Sequence, residues 1–253
     1  MNTKFEAVLF DIGSTLRFQL KDDECSKRAK KKITELLGID SDPDEFCKLL
    51  DYRYAGYRKW AFDTMREAPE EELWTRWLTP DFPKDEIAAK AVELTIQYRL
   101  VNGPRVMVDN GREVITGLYE RGYTLGIISN LISSAEIPEW LDQEGLTHYF
   151  KAVLLSAVVA LRKPDPAIYL EAARQVGIPP QKCAYIGDNL DRDVTGSKEA
   201  GFGMTIIFNS PEVLAKKKMT DANRPDAVIH EFKEILEIFP ECPHINFNAI
   251  RKP

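Results

Sequence analysis

The 253-residue chain has little of what thiol-metal chemistry, export or membrane insertion requires. Its four cysteines, Cys25, Cys47, Cys183 and Cys242, form no close C-x-x-C pair, and only three histidines (His148, His230, His244) accompany them. Zinc-site spacing is therefore absent, and isolated thiols in a reducing compartment are the expectation. Long hydrophobic runs are missing too: the longest, Ala152 to Leu161, is broken by Ser156 and falls well short of a membrane span. The N-terminal apolar stretch is short and interrupted by Asp11, which does not read as a signal peptide and leaves the cytoplasm as the default location. An excess of positive charge is also lacking. Lys and Arg number 34 against 40 Asp and Glu, a net charge of -6, which argues against nucleic acid as a main partner. A small anion remains compatible, because it needs only a few local cations.

What is present is a change of rhythm along the chain. Glu6 to Phe10 is a short apolar run that stops at Asp11 and a turn, which predicts a buried strand. Between about 18 and 103, apolar residues recur at three- and four-residue spacing (Ile33, Leu36, Leu37; Leu73, Trp74, Trp77, Leu78), which predicts successive amphipathic helices and no strand. Within this block the aromatic stripe Tyr52, Tyr54, Tyr57, Trp60 reads as helix packing, and Lys30-Lys31-Lys32 as a solvated face. From Pro104 onward helices alternate with strands expected at Thr124–Ile128, Ala152–Leu155, Cys183–Ile186, Met204–Phe208 and Ala227–Ile229. Such alternation implies an α/β, Rossmann-like parallel sheet. The core would comprise 1–17 and 104–253, with 18–103 inserted as an all-helical cap just downstream of Asp11.

Open parallel sheets bind ligands beyond the carboxyl ends of their strands. Polar groups fall at those ends: Asp11, Ser129-Asn130 and Asp188, with Arg162-Lys163-Pro164-Asp165 following the strand at 152–155. The segments DIGSTL, IISN, RKPDPAIY and IGDNLDRD, in this order, resemble the motifs of the haloacid dehalogenase superfamily, and the helical insertion resembles its type-1 cap. The resemblance implies a Mg²⁺-dependent phosphatase acting on a small phosphorylated metabolite. Asp11 would be the nucleophile and Lys163 its cationic partner. Thr15, Ser129, Asn130 and Lys163 would bind the phosphoryl group, and Asp11, the Gly13 carbonyl, Asp188 and Asp193 would hold the metal, with Asp193 behind the others. Chemically this is reasonable: a phosphate dianion repels a carboxylate unless cations neutralise the site, and Mg²⁺ favours hard oxygen ligands.

One position departs from the family pattern. The second acid of D-x-D-G-T, the general acid–base, is replaced by Gly13. Glycine transfers no proton, so alkyl phosphates, which leave as strongly basic alkoxides, should be poor substrates beside aryl or acyl phosphates. The alternatives are a magnesium- and phosphate-binding family member that works by recognition, and a dehalogenase-like hydrolase, which Gly187-Asp188 disfavours. The apolar stretch Ser156–Leu161 reads as buried against the core, with a homodimer contact as the alternative to a monomer.

Overall fold

Strand β1 (Ala7–Phe10) is buried along its whole length, as its AVLF sequence demands, and it occupies the middle of the sheet. The computed structural model describes residues 5–241. Cys242 and His244, like the rest of the tail beyond 241, lie outside the described residues.

After β1 the chain forms β2 (Arg17–Gln19) and enters the helical insertion. This comprises α1 (Asp23–Leu37), α2 (Pro43–Thr64), α3 (Glu70–Glu72) continuing as a wide helical turn over Leu73–Leu78, α4 (Lys84–Ala88) and α5 (Ala91–Leu100). It returns through β3 (Arg105–Met107), which pairs antiparallel with β2. The core then alternates: α6 (Gly111–Glu120), β4 (Thr124–Ser129), α7 (Glu136–Gln143), β5 (Phe150–Leu155), α8 (Ser156–Val159) and α9 (Pro166–Val176). It closes with β6 (Cys183–Gly187), α10 (Thr195–Glu199), β7 (Met204–Phe208), α11 (Pro211–Leu214), β8 (Ala227–Ile229) and α12 (Ile235–Ile238).

Six strands form one parallel sheet in the order β5-β4-β1-β6-β7-β8. Strand order reverses at β1, with β4 on one side and β6 on the other, so a crevice opens beyond their carboxyl ends. The architecture is the expected Rossmann-like sheet with an inserted helical cap, and every expected strand is present. The pair β2/β3 was not expected. Three-residue strands carry no readable period, and only their pairing at the base of the insertion makes them strands. Before α10 the chain forms a wide turn at Leu190–Val194, where the Asn189 side chain caps the backbone N–H groups of Asp191 and Arg192.

The cap has its own core, built from α1, α2, α5 and the Leu73–Leu78 turn, with Ile132 of the main domain inserted into it. Its aromatic residues pack on one another: Tyr54 stacks on Tyr57 at 5.7 Å and Trp60 meets Trp77 at 5.5 Å. Tyr52 alone of the stripe points to solvent. Lys30, Lys31 and Lys32 pair with Asp44, Glu35 and Glu93 near the surface. In the stretch from Ser156 to Leu161, Ser156 and Ala157 are buried, Val159 and Leu161 are half-buried, and Val158 is exposed. Cys25, Cys47 and Cys183 are free thiols, and burial pushes Cys47 to about 11 and Cys183 to about 12.

Cap and core are fastened together by buried acids. Glu67 accepts a hydrogen bond from Ser156 Oγ at 2.7 Å and pairs with Arg162, and the Tyr57 hydroxyl donates to its other oxygen. Glu70 pairs with Ser134 nearby. Removing one partner of a buried ion pair strands the other charge. Glu67→Ala should therefore lower unfolding stability by on the order of 3 kcal/mol in urea denaturation. A loss near zero would mean that Arg162 finds water instead.

Candidate active site

The loop after β1 is shaped by its own backbone. Arg17 N–H donates to Ile12 O at 2.9 Å and Ser14 N–H to Arg17 O at 2.9 Å. Ser14 takes a left-handed conformation (φ 59°), which turns the chain sharply away from Asp11. Asp11 thus ends β1 with its carboxylate at the crevice, beside Ser129 at the end of β4 and Asp188 just beyond β6.

Lys163 joins these segments. Its ammonium lies 2.8 Å from Asp11 Oδ1 and 2.7 Å from Asp193 Oδ1, and it donates to the Tyr185 hydroxyl at 2.9 Å. The side chain is 1% exposed, so all three of its protons are directed by protein acceptors. Asn130 fixes the lysine backbone from both sides: its amide donates to Lys163 O at 2.9 Å and its carbonyl accepts from Lys163 N–H at 2.8 Å. Both oxygens of Asp193 are engaged, Oδ1 by Lys163 and Oδ2 by the backbone N–H groups of Asp188 (3.1 Å) and Asn189 (2.9 Å). Gly187 is required for this approach, since a Cβ there would stand 2.4 Å from the Asp193 carboxyl carbon.

A cavity of about 270 Å³ opens onto the group. Asp11, Gly13, Ser129, Asn130, Lys163 and Asp188 line it. Thr15 and Asp193 do not: both are buried behind it, and the Thr15 hydroxyl has no hydrogen-bond partner. The Thr15 backbone N–H donates to Ile12 O at 3.2 Å within the loop. Within the cap, Arg53 is tied to Leu78 O and Asp81, Tyr57 to Glu67 and Lys59 to Asp63. The cap supplies Arg99 to the cavity, and the β2/β3 pair supplies Arg17, Gln19 and Arg105. Sequence reading missed these, along with Arg192, because a lone arginine in a helix or a three-residue strand carries no motif.

Five cationic side chains (Arg17, Arg99, Arg105, Lys163, Arg192) face the cavity against two carboxylates, Asp11 and Asp188, although the chain as a whole is acidic. The local field favours an anion. Within the acidic corner the balance is reversed. One oxygen from each of Asp11, Asp188 and Asp193 lies within 4.8 Å of the others. Burial pushes the Asp11 carboxyl up, opposed by Lys163 and assisted by Asp193. Burial, then Asp11 and Asp193, push Asp188 to about 7, and its buried Oδ1 has no hydrogen-bond partner. Burial would lower the Lys163 ammonium, but Asp11 and Asp193 outweigh it and hold it above its usual value. Clustered carboxylates, with Asp188 Oδ1 unbonded and only 3.9 Å from Arg192 Nη2, fit a hard divalent cation, and Asp11 and Asp188 reach the cavity to hold it.

This electrostatics has a sign that can be checked. Asp188 binds its proton more tightly folded (about 7) than unfolded (3.8), so its contribution to stability falls as pH rises through that window. In chelator, Asp188→Asn should be more stable than the parent at pH 8, with the difference vanishing toward pH 4. Parallel pH–stability profiles for the two proteins would remove Asp188 from the acidic repulsion.

Comparison with known proteins agrees with this arrangement. A family model described as haloacid dehalogenase-like hydrolase matches residues 83–207. The chain is 32% identical over 243 residues to a glyceraldehyde 3-phosphate phosphatase of Methanopyrus kandleri, covering 93% of this chain and 97% of that protein. It is 37% identical over 172 residues to a phosphoserine phosphatase of Thermus thermophilus, covering 59% of this chain and 68% of that one. Among solved structures, a 2-haloacid dehalogenase from Pseudomonas syringae superposes with a TM-score of 0.65 at 20% identity, covering 92% of this chain and 97% of that one, a likeness of fold. With sequence similarity running nearly end to end along one relative and a family model matching its middle, the chain belongs to the haloacid dehalogenase-like hydrolase family.

Proposed function

We propose that the protein is a Mg²⁺-dependent phosphatase of small phosphorylated metabolites, working in the cytoplasm through an aspartyl phosphate at Asp11. The observation that carries this reading is the buried Asp11–Lys163–Asp193 junction against a cationic cavity. The phosphatase names of its relatives support it. Asp11, the Gly13 carbonyl and Asp188 would hold Mg²⁺, with Asp193 behind them, and the ion would offset the charge between the attacking carboxylate and the phosphoryl oxygens.

The chain's own groups do the rest. Lys163 opposes the burial that raises the Asp11 carboxyl and aims it through Oδ1, leaving the other oxygen to attack. The phosphorus–leaving-group bond breaks as the Asp11 oxygen–phosphorus bond forms. Ser129 and the Asn130 backbone N–H would hold the equatorial oxygens. Water then cleaves the acyl phosphate, releasing inorganic phosphate and restoring the carboxylate. At the position of the usual general acid stands Gly13, so an alkoxide must take its proton from solvent, and turnover of alkyl phosphates is slow.

A second reading, a phosphate-binding relative with little turnover, draws on the same glycine. One experiment separates the two. With Mg²⁺, para-nitrophenyl phosphate and acetyl phosphate should be hydrolysed far faster than a sugar phosphate, and Asp11→Asn should abolish all of it. A Cβ built on Gly13 meets nothing within 4 Å, so the first carbon of an aspartate side chain has room there. Gly13→Asp should raise alkyl-phosphate kcat by on the order of a hundred- to ten-thousand-fold and leave the aryl rate less changed. Metal binding without turnover of any substrate would favour the recognition reading.

A further inference from the structure

Three arginines that line the cavity converge on one carboxylate, Glu136. Arg17 Nη1 lies 3.0 Å from Glu136 Oε1, Arg105 Nη1 lies 4.0 Å from the same oxygen, and Arg99 pairs with Oε2. They come from three places: Arg17 from β2, Arg105 from β3 and Arg99 from the last turn of α5. In the antiparallel register Gln19 faces Arg105 and Arg17 faces Met107, which places Arg17, Gln19 and Arg105 on one face of the ribbon. That face lines the same cavity as Asp11 and Lys163.

The charges do not balance. Three guanidinium groups against Glu136 leave two positive charges on a largely buried wall. Arg17 is 7% exposed and its buried Nε has no hydrogen-bond partner. Burial, with Arg99 beside it, pushes Arg105 down to about 10, and burial likewise lowers Arg17 against the pull of Glu136. An arrangement that only fastened the cap would need one cation per carboxylate, as Glu67 and Arg162 show. Unspent guanidinium forks suit carboxylate and phosphate oxygens, which they bind in pairs.

We infer that Arg17, Arg99 and Arg105 form a subsite for a second anionic group, so that the substrate is a small phosphate ester carrying a carboxylate or a second phosphate. The inference rests on the cavity being the phosphoryl site. The cavity volume of about 270 Å³ restricts that substrate to a few carbons between the two anions. Because the arginines come from β2, β3 and the cap, binding of the second anion also holds the insertion against the core.

Binding of inert analogues tests this without turnover. Calorimetry on the full chain with Mg²⁺ would compare 3-phosphonopropionate, propane-1,3-bisphosphonate and propylphosphonate, the last lacking a second anion. At least one of the first two should bind on the order of tenfold to a hundredfold tighter than propylphosphonate. The tighter of the two identifies carboxylate or phosphate. That preference should shrink severalfold or more in Arg105→Gln, with Arg99→Gln as the variant at a less buried position. Equal affinities of the wild type for all three analogues overturn the inference and leave the cluster as a cap–core clasp. A preference undiminished in both variants also overturns it, by placing the second anion elsewhere. Para-nitrophenyl phosphate turnover is measured alongside. Its absence, with the binding preference intact, counts against phosphatase activity and not against the subsite.

Discussion

The rest of the site depends on one buried ammonium. Lys163 is almost inaccessible to water, yet it is charged, because Asp11 and Asp193 flank it and Tyr185 takes its third proton. A buried cation is costly unless it is paired and hydrogen-bonded. Here the pairing also ties three segments distant in sequence: the end of β1, the turn before α9 and the helical turn after β6. Asp193 passes the constraint on, since its second oxygen holds the backbone of Asp188 and Asn189. Asn130 does the same for the β4 end by gripping the backbone of Lys163. Four loops are therefore set by one charge.

The cavity lining holds two opposed surplus charges. Lys163 neutralises Asp11 and Asp193 only in part, so the acidic corner stays short of positive charge and Asp188 holds a proton near neutrality. The arginines around Glu136 are short of negative charge. A cation at the first and an anion spanning both would remove both imbalances. The unliganded protein carries that electrostatic cost because the sheet and cap are held together by other means: the Glu67–Arg162 pair, Glu70 with Ser134, and the β2/β3 ribbon.

Much of this was legible in the residues. The alternation of apolar strands and amphipathic helices gave the parallel sheet, and the change of rhythm near residue 18 gave the inserted cap. Asp11, Ser129, Lys163 and Asp188 stood out because strand ends in a parallel sheet must meet, so polar residues there converge whatever the details of packing. Gly13 announced its own consequence, since the lack of a side chain is visible without coordinates.

Other features belong to the fold alone. Asn130 was expected to bind the phosphoryl group, and its side chain proves to clamp the Lys163 backbone; an amide's partner across 33 residues is not encoded locally. Thr15 lies behind the cavity because the loop turns at Ser14, a backbone choice that no propensity specifies. Arg17, Arg99 and Arg105 are scattered over two short strands and a helix end, each ordinary in its own window. Local sequence determined which residues sit at strand ends and which acid is missing, because those follow from short-range periodicity and residue chemistry. Only tertiary structure decided which charges share a cavity, because electrostatic balance there is a sum over groups that the chain brings together last.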